Sequence, residues 1–282
     1  VWAADAGAVL LTVLGCRQGM PADGQPSSAY LVRADGRMLL LDCGPGAATA
    51  LSALAHPAEL DAVVISHLHS DHCYDLLPLG KTLLAGRLRD PRRYPTLPDA
   101  KVREWPPVPL LVPPGGRAAL DALARALPVP GEPVLDRSFD LAFEVREYSP
   151  GQDVQLNGWR IGLRPLRHSL DNCGIRVERA GSTLFYSGDT DDPAGLGAAA
   201  HGADLLLCES TLEIPDGRHG HMSAAQAGEA ARIGEVGELV LTHFVTADPG
   251  WLAARRADAL RAFPGRVHLA APGLDLALRA GA

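Results

Sequence analysis

Asp61-Ala62-Val63-Val64-Ile65-Ser66-His67-Leu68-His69-Ser70-Asp71-His72 is the stretch on which the fold is read. Its opening run has the length and β-branched content of a buried strand. Three imidazoles and a carboxylate follow at once, so the cluster is expected where a strand ends in a loop. If strand geometry persists, His67 and His69 point to one side. Asp71 and His72 are adjacent and diverge toward a second point. Four such groups are costly to bury on one turn unless a cation neutralises and coordinates them. The spacing therefore implies two metal ions rather than one. A single histidine at a strand end is more often a hydrogen-bonded surface residue, but four ligand-type groups in this order are not a chance pattern.

Two ions need more ligands than this cluster offers, and the second half of the chain supplies candidates at strand ends. His168 follows Arg164-Pro165-Leu166-Arg167, Asp189 follows Leu184-Phe185-Tyr186-Ser187-Gly188, and His243 follows Leu239-Val240-Leu241-Thr242. In layered sheets, sites are built from polar residues at strand ends. A carboxylate at Asp189 is suited to bridge two cations. Asp42, closing the run Leu39-Leu40-Leu41, is a candidate to hold one imidazole N–H from behind.

Around these anchors, 8–14, 28–33 and 37–42 read as strands, the last two joined at Ala34-Asp35-Gly36. A helix runs to about residue 55 after the Gly44-Pro45-Gly46 break, and another is expected over 73–85. Strands at 108–112, 139–148, 153–156 and 159–166 follow, with a helix at 115–127 and a hairpin at Leu156-Asn157-Gly158-Trp159. Strands 173–178 and 183–186 flank Ala180-Gly181. Beyond them strands and helices alternate: 203–208, helix 223–233, 238–242, helix 249–262, and 266–270. The order of elements repeats in the two halves, and no composition shift marks a linker. This pattern predicts one α/β domain over 1–282, two sheets face to face with helices outside, a four-layer αββα sandwich. Residues 86–107, rich in arginine and proline, are either a solvated loop, a lid over the site or a homodimer contact.

At 282 residues with 47% hydrophobic and 21% charged residues, the composition is that of an ordinary globular protein. A net charge of −7 argues against a broad nucleic-acid-binding face but is compatible with a small anionic substrate held by cations. Five scattered cysteines without a Cys-x-x-Cys suit reduced thiols in the cytoplasm. The 9–14 run is too short for a membrane span and has no basic stretch before it, so neither a membrane segment nor a signal is expected.

Taken together, these segments resemble the metallo-β-lactamase-fold metallohydrolases over nearly the whole chain. His67-Leu68-His69-Ser70-Asp71-His72 matches the His-x-His-x-Asp-His signature, Ser187-Gly188-Asp189-Thr190 the bridging-aspartate segment, and Leu241-Thr242-His243-Phe244 the last histidine. Leu14-Gly15-Cys16 and Leu41-Asp42-Cys43-Gly44-Pro45-Gly46 match the opening strands. The resemblance implies that His67, His69 and His168 hold one ion, that Asp71, His72 and His243 hold the other, and that Asp189 spans both. Nitrogen and oxygen ligands suit zinc, with manganese or iron as alternatives.

Within that family the chain is most similar to the phosphodiesterase branch containing ribonuclease Z and the bacterial cyclic-nucleotide phosphodiesterases. Gly220-His221-Met222-Ser223-Ala224 carries this finer match and implies that His221 approaches the scissile phosphate; the plainer reading is a helix start capped by Ser223. His219 has no matching position, and His56, His201 and His268 have no assignable role. Ribonuclease Z enzymes carry a long arm after the third ligand, whereas here two short strands fill the interval, which argues against transfer RNA. The expected function is hydrolysis of a small phosphodiester such as a cyclic nucleotide by a water shared between the ions, with Asp71 as its base and His221 as proton donor. The same ligands would serve a lactone or thioester hydrolase, and the fold alone would serve a non-catalytic metal-stabilised scaffold.

Overall fold

The computed structural model describes residues 8–87, 106–215 and 217–278. The near-continuous apolar runs form strands buried on both faces, and these assemble into two seven-stranded sheets. The first sheet contains β1 (Leu10–Gly15), β2 (Ala29–Ala34), β3 (Arg37–Leu41), β4 (Ala62–Val64), β5 (Val108–Val112) and β6 (Phe143–Glu147). The second contains β7 (Asp153–Leu156), β8 (Trp159–Leu166), β9 (Asn172–Arg179), β10 (Ser182–Tyr186), β11 (Leu205–Glu209), β12 (Glu238–Thr242) and β13 (Arg266–Leu269). A final strand, β14 (Asp275–Ala277), returns to the first sheet beside β1.

The spatial orders are β14-β1-β2-β3-β4-β5-β6 and β7-β8-β9-β10-β11-β12-β13. In each sheet the first three pairings are antiparallel and the last three parallel. The two halves thus repeat one topology, matching the doubled order of elements in the sequence. Parallel pairing requires crossovers, and these supply the helices. Over the first sheet they are α1 (Ala47–Ser52), α2 (Ser70–Cys73), α3 (Leu76–Arg87), α4 (Gly116–Ala126) and α5 (Ser138–Leu141). Over the second they are α6 (Pro193–Ala199), α7 (Ala224–Ile233) and α8 (Pro249–Ala262). Alternation along β3 shows the layering: Leu39 and Leu41 enter the core between the sheets, while Leu40 packs beneath the helices. Each such fully buried leucine contributes about 1.5–3 kcal/mol. The result is the expected αββα sandwich.

Four local expectations are corrected. Residues 139–148 are not one strand: a 3-10 turn (Pro133–Arg137) and α5 precede β6. Leu135, Phe139, Ala142 and Phe143 are buried at helical spacing, and Phe139 stacks on Phe143 with ring centroids 6.0 Å apart. Asp71 and His72 lie not in a loop but in the single turn of α2, which His69 precedes as N-cap, and the next helix begins at Leu76. The short α6 was not expected; Asp192 caps it by accepting the Gly195 N–H (3.0 Å), with Pro193 in its first turn. Three-residue β14 was also not expected, and is set only by pairing with β1. The 86–107 segment, apart from its ends, lies outside the described residues. No described helix is long and apolar enough to cross a membrane.

Candidate metal centre

All the candidate ligands stand at or just past strand ends. β4 leads into His67 and His69, and α2 carries Asp71 and His72; His168, Asp189 and His243 follow β8, β10 and β12. The α2 turn rests on the backbone that leaves β3: the Cys43 N–H donates to the His72 carbonyl (2.7 Å), and the Asp75 N–H donates to the Cys43 carbonyl (3.0 Å). So close an approach requires Gly44, where an added Cβ would lie 1.9 Å from the Asp71 carbonyl oxygen. Gly44→Ala should therefore displace α2 and weaken divalent-metal binding by about 10–100-fold, the loss typical of a disturbed support. Competition against a chromogenic chelator measures this, and an unchanged affinity would contradict the assigned role of this contact.

Three overlapping ligand groups result. The ligand atoms of His67, His69, His168 and Asp189 all lie within 4.8 Å of one another, as do those of Asp71, His72 and His243 and those of Asp189, His221 and His243. In the first group His69 Nδ1 is 3.0 Å from His67 Nε2 and 3.2 Å from His168 Nε2. Asp189 Oδ2 is 3.6 Å from His67 Nε2 and 3.9 Å from His168 Nε2. In the second, His243 Nε2 lies 3.3 Å from both His72 Nε2 and Asp71 Oδ2. The same Asp189 oxygen reaches this side, 3.3 Å from His72 Nε2 and 3.6 Å from His243 Nε2. A tetrahedral site with imidazole bonds of about 2.0–2.1 Å has ligand atoms about 3.3 Å apart. The separations within each of these two groups, 3.0–3.9 Å, are of this order, and Asp189 Oδ2 lies near both.

The outward-facing nitrogens explain why the rings point inward. His72 Nδ1 donates to Asp42 Oδ2 (2.7 Å), and His168 Nδ1 to the Gly220 carbonyl (2.8 Å). Ser66 gives its hydroxyl proton to Asp42 (2.8 Å), so it accepts from His67 Nδ1 (3.0 Å). Thr211 gives its proton to Glu209 (2.6 Å), so it accepts from His243 Nδ1 (2.7 Å). With Nδ1–H committed in all four rings, Nε2 is the atom left to bind an ion. Fully buried Asp42 also accepts from the Ser66 N–H and the Tyr186 hydroxyl (both 2.7 Å).

Electrostatics agree with a centre built to receive cations. Burial, then repulsion from His72, holds His67 well below its ordinary pKa; burial and His168 lower His69. His72 goes the other way: despite burial, the carboxylates of Asp189 and Asp42 raise it well above the usual histidine range. Burial opposes ionisation of Asp71, yet its hydrogen bond with His243 and the nearby imidazoles hold it below the carboxylate range. Asp189 is 1% exposed, and its Oδ1 is buried with no hydrogen-bond partner among the described residues. A buried carboxylate whose Oδ1 has no such partner and whose Oδ2 is ringed by imidazole nitrogens fits divalent ions.

His221 stands beside this centre, its Nδ1 3.8 Å from Asp189 Oδ2. Ser223, two residues on, does cap α7 through a capping box. His221 has a further partner that the sequence reading had not given a role: Glu209, fully buried, whose Oε1 lies 3.1 Å from His221 Nδ1. Through Thr211 the same carboxylate supports His243. The signal for it was a lone acid closing the apolar run Leu205-Leu206-Leu207-Cys208. Burial alone would lower the His221 pKa, but the hydrogen bond and charge of Glu209 push it up to about 9. Two of the other histidines stand in supporting contacts: His56 Nδ1 accepts the Ala58 N–H (3.2 Å), and His268 Nε2 pairs with Glu238 (2.7 Å).

A family model described as "Beta-lactamase superfamily domain" matches residues 37–244. An uncharacterized protein of Mycobacterium leprae (strain TN), ML1173, is 35% identical, the match covering 94% of this chain and 87% of that one. A ribonuclease Z of Mycobacterium avium (strain 104) is 32% identical, covering 92% and 94%. Among solved structures, the metallo-beta-lactamase fold protein YhfI from Bacillus subtilis superposes with a TM-score of 0.78 at 24% identity, covering 96% and 99%.

Proposed function

The chain belongs to the β-lactamase superfamily as a metallo-β-lactamase-fold hydrolase, and on that premise we propose that it is a two-metal phosphodiesterase acting on a small phosphodiester such as a cyclic nucleotide. His67, His69 and His168 would hold one divalent ion and Asp71, His72 and His243 the other, with Asp189 available to both groups; zinc would fit the donors best, with manganese or iron as substitutes. When bound, the ions would supply Lewis acidity at the phosphoryl oxygens and lower the pKa of water. Asp71, kept ionised, would orient and deprotonate the attacking water. His221, kept protonated by Glu209, gives a proton to the departing alkoxide.

The paired His221 and Glu209 carry this reading. A cationic imidazole at the edge of the centre serves a leaving oxygen too basic to depart alone, as in an alkyl or nucleoside phosphodiester. A small substrate is supported by the interval between His168 and Asp189, which β9 and β10 occupy. The similarity to a protein named ribonuclease Z makes precursor transfer RNA the substrate to test against.

The test is a panel on zinc-loaded protein: bis-nitrophenyl phosphate, cyclic nucleotides, precursor transfer RNA, homoserine lactones and thioesters, each with and without chelator. The expected result is chelator-sensitive turnover of the small phosphodiesters, restored by zinc. Turnover of lactones or thioesters with the diesters untouched would replace this reading by the carbonyl one. No turnover of anything by fully loaded protein would leave a scaffold.

A further inference from the structure

We propose that Asn172 is the residue that positions Asp189: its side-chain amide grips the peptide that follows Asp189 and so sets the carboxylate between the first and second ligand groups. This deepens the metal-centre reading and rests on it for what the carboxylate meets. Asn172 opens β9 and is 4% exposed. Its Nδ2 donates to the Asp189 carbonyl (2.7 Å) and to the Ser187 carbonyl (3.4 Å), on either side of Gly188.

The same peptide is held from its other edge. The Thr190 N–H donates to Oε1 of fully buried Glu209 (2.9 Å). A peptide unit is planar, so a grip on its carbonyl and another on its N–H fix the plane, and the Cα of Asp189 lies in it. Two buried side chains thus set the origin of the Asp189 side chain. Gly188 shows how closely the amide is applied: its φ is 55°, and an added Cβ would lie 2.4 Å from Asn172 Oδ1. The two carbonyls need a donor, which turns Nδ2 toward them and leaves Oδ1 without a hydrogen-bond partner among the described residues.

Asn172 also stands where the strands of the first ligand group meet. It pairs with Leu166 at the end of β8, just ahead of His168. The next N–H, that of Cys173, donates to the Ser66 carbonyl (3.1 Å), just ahead of His67. The backbone of β9 therefore serves His67 and His168, while the Asn172 side chain grips the turn of Asp189. Removing the amide and keeping the strand isolates that grip.

The experiment compares the wild-type protein with Asn172→Leu, which keeps the bulk of the side chain and removes the donor. Zinc affinity, read by competition against a chromogenic chelator, should fall about 10–100-fold, the range for an outer partner of a metal ligand. The control is the chain's other asparagine, Asn157, whose Nδ2 holds the Asp61 carbonyl (3.1 Å) from the hairpin between β7 and β8. Asn157→Leu removes a structural hydrogen bond away from the centre and should leave zinc affinity unchanged. An unchanged affinity in Asn172→Leu, or an equal loss in Asn157→Leu, overturns the proposal and leaves the metal reading standing. Wild-type protein that takes up fewer than two zinc ions overturns the metal reading and the proposal with it. Should Asn172→Leu fail to fold, wild-type protein labelled with [15N]asparagine decides, since only two side-chain amides carry the label. The Asn172 amide should exchange with solvent more slowly than that of exposed Asn157 and should shift when zinc is added, with Asn157 unmoved. An Asn172 resonance that stays in place through zinc binding overturns the proposal.

Discussion

Replacing Asp189 with alanine should abolish hydrolysis and deplete both metal sites while leaving the sandwich folded. Its Oδ2 lies within 3.3–3.9 Å of the Nε2 atoms of His72, His67, His243 and His168, so it serves both ligand groups. An outer partner of a metal ligand is worth about 10–100-fold in affinity or activity, and a shared ligand should exceed it, giving at least about a thousandfold loss of turnover. Burial opposes its ionisation, but His243 and His72 hold its pKa well below the carboxylate range, so it presents full negative charge at neutral pH. Asp189→Asn, which keeps the shape and removes the charge, should fail almost as completely. Metal content, turnover of bis-nitrophenyl phosphate and far-ultraviolet circular dichroism check this together. Full activity in either variant would remove the bridging role.

The second large effect is selective. His221→Ala should reduce turnover of alkyl phosphodiesters by about 10²–10⁴-fold and of nitrophenyl esters by less than about tenfold, because nitrophenolate leaves without a proton. The pH profile gives the same information. With His221 pushed up to about 9 by Glu209, the rate with alkyl leaving groups should hold through neutral pH and fall as pH rises through about 9. Glu209→Gln removes the group that raises it and leaves burial, so the alkaline limb should move to lower pH. The same raised pKa stabilises the fold fully below 6.5, and that contribution fades as pH rises through about 9. Equal losses on both ester classes, or a limb that stays in place in Glu209→Gln, would argue against proton donation.

Much of this was legible because ligand chemistry leaves few residue types to choose from. Four titratable groups straight after Val63-Val64-Ile65 have few uses other than a cation site; Asp189 and His243 follow apolar runs in the same way, and His168 stands at a strand end. The layering was legible from runs such as Leu39-Leu40-Leu41, apolar on both faces. The period of the 135–143 stretch was harder, since Leu135, Phe139 and Phe143 fall four apart, a spacing that a strand's alternation also allows, and the apolar/polar alternation of 143–147 extended the strand pattern backward. Orientation left the weakest trace. Asp42 and His243 both take left-handed backbone, φ 56° and 61°, a strain of about 1–3 kcal/mol each that only the finished site makes intelligible. Glu209 and Thr211 act through hydrogen bonds across β11 and β12, and such partners carry no spacing rule.

The central claim is that strand tips from both sheets hold two divalent ions against one carboxylate. Anomalous diffraction at the zinc edge from crystals of the zinc-loaded protein tests it most directly. Two peaks are predicted, one bounded by His67, His69 and His168, the other by Asp71, His72 and His243, with Asp189 touching both. A single peak, or peaks away from these residues, would contradict it.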